Sequence, residues 1–246
     1  MELRGRALLA LVLAAVLGVA SGVVVALVAP GAGSGEGRDD PSAINDPLHL
    51  GVPLVDLECT GESIMVVGYG DSRAPLDAAV ADNPEGEVRY LRTDDSCPTQ
   101  YGPPESEVPS YVAYLGPFDT LAEPCAQRMT DEHKGDNVTR LNAGNVIYVK
   151  CACVLDTASF PVLRLGQSVT AANGIWVRAL QGMLVDTFEA RGHPERFGEE
   201  DITGVYDERT AALIEEIQAA ASVHVGPVNQ VTWRILRKRA CATYSY

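Results

Sequence analysis

The chain has 246 residues and a net charge of −14, from 33 acidic against 19 basic side chains. That length suits one large domain or two small ones. So acidic a balance disfavours nucleic acid and anionic lipid as partners, since both are usually met by clustered Lys and Arg.

Residues 7–29, ALLALVLAAVLGVASGVVVALVA, contain no charge. As a helix they would span roughly 35 Å, enough for a bilayer. Arg4 and Arg6 precede the stretch, and Glu36 is the first charge after it. That asymmetry predicts a cytoplasmic N-terminus at 1–6, a transmembrane anchor at 7–29 and an exported remainder. A cleaved signal peptide is the rival, but its apolar core is shorter, about 7–15 residues. Residues 30–55 are rich in Gly, Pro, Ser and charge at their start and read as a flexible linker.

From residue 56 the pattern alternates. SIMVVGYG at 63–70 reads as a strand, RAPLDAAVA at 73–81 as a helix and EVRYLRT at 87–93 as a strand. CPTQYGPPESEVP is a proline-rich loop. SYVAYLGPF at 110–118 is a strand, and DTLAEPCAQRM at 119–129 is a helix capped by Asp119 or Thr120. NVIYVKCACVL at 145–155 is the expected last strand, with VTRL at 138–141 the alternative. The order βαββαβ is the split βαβ of ferredoxin-like domains, so the fold class expected for 56–153 is α+β.

Residues 154–246 read as all-α. Leu213, Ile214, Ile217 and Ala221 form one helical stripe, Val177, Leu180, Leu184 and Phe188 a second, and Val228, Val231 and Ile235 a third. Three short amphipathic helices bury such stripes against one another. Asp207 is the expected N-cap of the middle helix. The charge is unevenly spread: residues 39–160 carry 21 acidic and 7 basic side chains, and residues 161–246 carry 10 and 9.

Two resemblances follow. SYVAYLGPFDTLAEPCAQRM, and more loosely VVGYGDSRAPLDAAV, resemble the second and first halves of the sporulation-related repeat (SPOR) domain. Gly68-Tyr69-Gly70 stands where that family has Gly-Ser-Phe. The family binds peptidoglycan glycan strands stripped of stem peptides, on the open sheet face. Strand alternation places Val112 and Tyr114 on one face and Ala113 and Leu115 on the other. The resemblance therefore implies a glycan contact at Tyr114.

The helical part is similar to the three-helix peptidoglycan-binding domain of bacterial wall enzymes. The matching pieces are Leu163-Arg164-Leu165-Gly166, Leu180-Gln181, the run Thr203 to Thr210, Ile217-Gln218, Gly226-Pro227 and Thr232-Trp233. Asp207 replaces the family's turn glycine, and residues 186–201 form an insert. Sugar rings stack on aromatic faces and their hydroxyls need polar partners. Trp176, Tyr206 and Trp233, with Gln181, Thr210 and Gln218, are thus the candidate ligand residues.

No Gly-x-Ser-x-Gly elbow and no His-Glu-x-x-His motif occurs. The expectation is a protein without catalytic residues, cofactor or metal. It would bind peptidoglycan glycan or stem peptide from a membrane anchor. The alternative is an extracytoplasmic interaction module that recruits or regulates an envelope enzyme.

Six cysteines in an exported chain suggest three disulfides. In a ferredoxin-like sheet the last strand lies beside the first, which brings Cys59 near Cys151 or Cys153; alternation does not separate those two. Cys241 ends the helical part that begins at Cys153. The expected pairs are Cys59–Cys151, Cys97–Cys125 and Cys153–Cys241.

Overall fold

The computed structural model describes residues 45–84, 86–99, 101, 107–143, 149–168, 170, 173–242 and 244. The expected anchor and most of the linker lie outside the described residues. Among the described residues no helix is long and apolar enough to cross a membrane.

Four strands, β1 (Ser63–Gly70), β2 (Arg89–Arg92), β3 (Tyr111–Phe118) and β4 (Asn137–Arg140), form one antiparallel sheet in the order β2-β3-β1-β4. Helix α1 (Arg73–Asp82) follows β1, and α2 (Ala122–Arg128) follows β3. The chain is thus α+β, with the helices completing the apolar face that the sheet cannot bury alone. Segment 53–57 runs along the outer edge of β2: Val55 N–H donates to Tyr90 O at 2.7 Å, and Tyr90 N–H to Pro53 O at 3.1 Å. That pairing hides an edge otherwise open to other chains.

The pleat divides the apolar residues between two layers. Met65, Tyr90, Ala113, Leu115 and Val138 face the helices, while Ile64, Val66, Leu91, Val112 and Tyr114 face the other way. Gly68 lets α1 approach closely. A Cβ there would lie 2.5 Å from Ala79 Cβ, so no larger residue fits without moving the helix.

Three expectations are corrected in this half. Among the described residues the last strand is 137–140, the alternative at VTRL, and 149–155, the described part of the expected strand, contain no strand. Cys151–Val154 is instead a single helical turn, α3. Helix α2 begins after Leu121, with neither Asp119 nor Thr120 as its cap.

The second face of the sheet is not open. The loop after β2 crosses it, and Cys97 and Tyr101 pack with Tyr114 and Leu141 in a second core. Tyr101 O–H donates to Cys97 O at 2.5 Å, Thr99 O–H to Arg140 O at 2.8 Å, and Cys97 N–H to Leu57 O at 2.7 Å.

The disulfides follow from this layering. Cys59 pairs with Cys97, Cys125 with Cys151 and Cys153 with Cys241, at Cα separations of 5.0, 5.0 and 5.6 Å. The expected Cys97–Cys125 bridge is excluded because the sheet lies between them, each in the core of a different face. Cys59–Cys151 fails because Cys151 does not end a strand. Two residues apart in a helix, Cys151 and Cys153 point about 200° from each other. One therefore reaches α2 and the other the C-terminus.

The rest is helical: α4 (Ile175–Glu189), α5 (Glu208–Ala220) and α6 (Gln230–Ala240). Helix α4 is buried over most of its circumference, with Arg178 and Glu189 its exposed side chains; a helix apolar nearly all round must be covered on several sides. The α5 stripe at Leu213, Ile214 and Ile217 is buried as expected, whereas on α6 the buried positions are Thr232, Trp233, Leu236 and Ala240. Val231 is exposed. The insert completes α4 and then makes two 3-10 turns at Pro194–Arg196 and Glu199–Asp201. They are fixed by ion pairs Arg196–Glu216 and Arg209–Asp201 and by buried Phe197.

Residues 42–246 form one compact unit, in which sheet and helices share a single continuous core. A half-buried ion pair reinforces the junction. Lys150 Nζ lies 2.5 Å from Asp186 Oδ1 and 5.0 Å over the Tyr244 ring.

Candidate functional site

The candidate ligand residues come together in two groups, and all are interior. Trp176, Gln181, Tyr206, Thr210, Gln218, Trp233 and Tyr114 are between 0 and 6% exposed. Their polar atoms serve the scaffold, which corrects the expectation that they line a groove.

Gln181, on α4, reaches the turn before α5. Its Oε1 accepts from Gly204 N–H at 2.8 Å. Its Nε2 donates to Val205 O at 3.0 Å, Thr203 Oγ1 at 3.2 Å and Thr210 Oγ1 at 3.3 Å. Gln218, on α5, does the same one helix later. Its Oε1 accepts from Gly226 N–H at 2.9 Å, and its Nε2 donates to Thr232 Oγ1 at 2.8 Å and Gly226 O at 3.1 Å. Each amide has its donors and acceptor taken by the backbone turn, which leaves nothing directed outward.

The two turns share a sequence. Gly204-x-x-Asp207-x-x-Thr210 repeats as Gly226-x-x-Asn229-x-x-Thr232. Asp207 and Asn229 are N-caps, accepting from Thr210 N–H at 2.8 Å and Thr232 N–H at 3.2 Å. Gly204, at φ +75°, supplies the left-handed turn before the first cap. The clamping glutamine precedes its glycine by 23 residues in one copy and 8 in the other, and the insert makes up the difference. Burial raises the Asp207 carboxyl, but the Thr210 hydroxyl and N–H lower it by more. Its pKa therefore lies below the ordinary aspartate value.

The tryptophans form an aromatic core with Phe160. Ring centroids are 4.4 Å apart for Phe160–Trp176, 5.3 Å for Phe160–Trp233 and 6.0 Å for the two indoles. Trp233 Nε1–H donates to Pro161 O at 2.8 Å, so its polar end also faces inward. Tyr206 is buried and its phenol is pushed up to about 12. Tyr114 O–H donates to Val55 O at 3.1 Å beneath the crossing loop.

What the scaffold presents outward is different. Val162, Leu165, Val205, Val225 and Val231 lie on or beside the turns leading into α4, α5 and α6, each at least 40% exposed. Behind them, α6 carries Arg234, Arg237, Lys238 and Arg239, and no Asp or Glu occurs after Glu216. A cleft of about 550 Å³ opens between α6 and the chain near Cys153, lined by Thr157, Arg234, Arg237, Lys238, Tyr244 and the Cys153–Cys241 disulfide. No sequence expectation identified this cleft, although the acid-free tail that flanks it is legible in the chain. Among the described residues, no group of His, Cys, Asp and Glu could hold a metal ion.

No protein-family model, no curated protein and no solved structure matches this chain.

Proposed function

We propose that the protein is a membrane-anchored, extracytoplasmic module that attaches to peptidoglycan without catalysing a reaction. The observation that carries this reading is the duplicated turn. Two Gly-x-x-(Asp/Asn)-x-x-Thr units, each clamped by a glutamine from the preceding helix, present a rim of aliphatic side chains. That plan supports the resemblance to the three-helix peptidoglycan-binding domain. Three disulfides suit an oxidising compartment, as export past an anchor at 7–29 requires.

The strand order β2-β3-β1-β4 supports a ferredoxin-like, SPOR-related first half. Its glycan-facing surface is occupied here by the loop tied down through Cys59–Cys97. The wall contact therefore belongs to the helical half. The acidic sheet domain is left as a surface for protein partners of the envelope, the basis of the second reading as a recruiting module.

Purified peptidoglycan, intact or stripped of its stem peptides, tests the assignment directly. The detergent-solubilised full chain is expected to pellet with it, and a preference between the two preparations identifies the glycan or the peptide as the contact. If the chain stays in the supernatant while a known wall-binding domain pellets, the recruiting reading replaces this one.

A further inference from the structure

The cleft beside α6 combines four features that nothing in the scaffold requires. The first is its charge. In a chain of net −14, the last thirty residues hold four basic side chains and no acidic one. Three of the four, Arg234, Arg237 and Lys238, line the same cleft. Positions i, i+3 and i+4 share one helical face, so the three cations are neighbours by construction. Like charges so placed repel when no anion intervenes.

The second feature is that no carboxylate of the described residues answers them. Each ion pair among the described residues involves other cations. Arg237 spends one N–H on Cys153 O, at 2.9 Å, and Arg234 its Nε on Gln230 O at 3.3 Å. A guanidinium has five donors, and no other hydrogen bond of Arg234 or Arg237 forms among the described residues. Lys150, close by, differs in being satisfied. Burial pulls its ammonium down, but the hydrogen bonds to Asp186 and Tyr244 more than offset this and leave its pKa above the ordinary lysine value.

The third feature is rigidity. The Cys153–Cys241 bridge fixes one end of the cleft, and Gln230 Nε2–H to Ala158 O at 3.0 Å ties the start of α6 to the facing turn. Tyr244 is held from behind, its O–H 3.4 Å from Asp186 Oδ1 and its ring under Lys150. The walls are therefore set before any ligand arrives, which lowers the entropic cost of binding.

The fourth feature is shape. The cleft is shallow and open to solvent, so it suits one charged group of an extended polymer better than a small molecule held on all sides.

We infer that this cleft binds a carboxylate of the wall polymer, with Arg234 and Arg237 as hydrogen-bonding cations, Lys238 as a point charge and the Tyr244 ring as a platform. The inference rests on the wall-binding reading and adds the recognised chemistry, a carboxylate on a saccharide or stem peptide. Arginine is suited to it because the guanidinium matches a carboxylate two-to-two.

The test uses the full chain in detergent micelles, with the arginine Nε–H signals followed by nuclear magnetic resonance. The probe is the disaccharide of N-acetylglucosamine and N-acetylmuramic acid, which carries one lactyl carboxylate, and its control is the same disaccharide with that group converted to the amide. The acid is expected to shift the Arg234 and Arg237 signals and the amide to leave them in place. Arg234→Glu combined with Lys238→Glu, both exposed positions, should weaken binding of the acid by about tenfold or more. Arg234→Lys with Lys238→Arg should keep it within a few-fold, and an unchanged urea midpoint in both shows the fold intact. Equal shifts with acid and amide, or undiminished binding in the charge-reversed variant, overturn the inference. Binding to whole peptidoglycan separates the two readings. If the wall binds the charge-reversed variant as well as wild type, wall attachment stands and the cleft assignment falls. If the cleft responds to the acid while the wall is not bound, the carboxylate site stands and wall attachment falls.

Discussion

Replacing Gln218 by methionine separates a scaffold role from a ligand role. The side chains are close in volume, so the change removes polar contacts without opening a cavity. Four groups lose a bond: Gly226 N–H at 2.9 Å, Gly226 O at 3.1 Å, Pro227 O at 3.5 Å and Thr232 Oγ1 at 2.8 Å, the last keeping its bond to Asn229 Oδ1 at 3.4 Å. A buried polar group left without a partner costs about 1–3 kcal/mol. Fully buried Thr232 keeps its bond to Asn229 and loses the second, while half-buried Gly226 recovers part of its bonding from water. The expected loss is about 2–4 kcal/mol, a large fraction of the stability of a domain this size. With a urea slope of about 2–3 kcal/mol per molar, the midpoint should fall by roughly 1 M. Gln230→Met, which breaks only an exposed bond to Ala158 O, should cost under about 0.5 kcal/mol. Peptidoglycan affinity of the folded fraction should be unchanged in Gln218→Met. A Gln218→Met protein as stable as wild type but unable to bind the wall would refute the reasoning and return Gln218 to the ligand.

The remaining predictions are narrower. Non-reducing peptide mapping should recover Cys59–Cys97, Cys125–Cys151 and Cys153–Cys241. Replacing the last pair by serine should cost up to about 4–5 kcal/mol by urea unfolding, since it closes the longest loop, at a separation of 88 residues. A peptide joining Cys97 to Cys125 would contradict the placement of those residues on opposite faces of the sheet. Asp207→Ala should destabilise by about 1 kcal/mol through loss of the α5 cap. Because the folded carboxyl is depressed, that contribution should be complete above about pH 4 and vanish as pH falls through the folded value. Thermal midpoints of wild type and variant should therefore converge in acid, and a constant gap down to pH 2 would contradict the cap. Sequencing of the mature N-terminus should place it ahead of residue 7, whereas a start between 22 and 35 would show cleavage in place of anchoring.

The sheet was legible because the runs at 63–70 and 111–118 have strand character and alternation at 112–115 separates Val112 and Tyr114 from Ala113 and Leu115, whereas the register shifts within β1 leave no mark in the sequence. Its last strand was not. VTRL has only four residues, and the longer apolar run at 145–155 has the greater strand character, yet its end winds into one helical turn at Cys151–Val154. That turn, too short to show a helical period, decides the disulfide pairing. In the helical half, the cap at Asp207 and the stripe at Leu213, Ile214 and Ile217 follow from local chemistry. The direction of Trp176, Gln181, Gln218 and Trp233 does not. A tryptophan beside a helix start suits a sugar-stacking surface and an aromatic core equally, and only the position of Phe160, from outside the helices, settles it. Tyr114 fails for a related reason, since the loop that covers it is placed by a disulfide between distant cysteines.

The central claim is attachment to the wall, and the binding isotherm of the full chain on intact purified peptidoglycan at physiological salt tests it most directly. The account predicts saturable binding that competes with added soluble wall fragments. A bound fraction that rises linearly without saturation, no greater than that of an unrelated acidic protein, would contradict it.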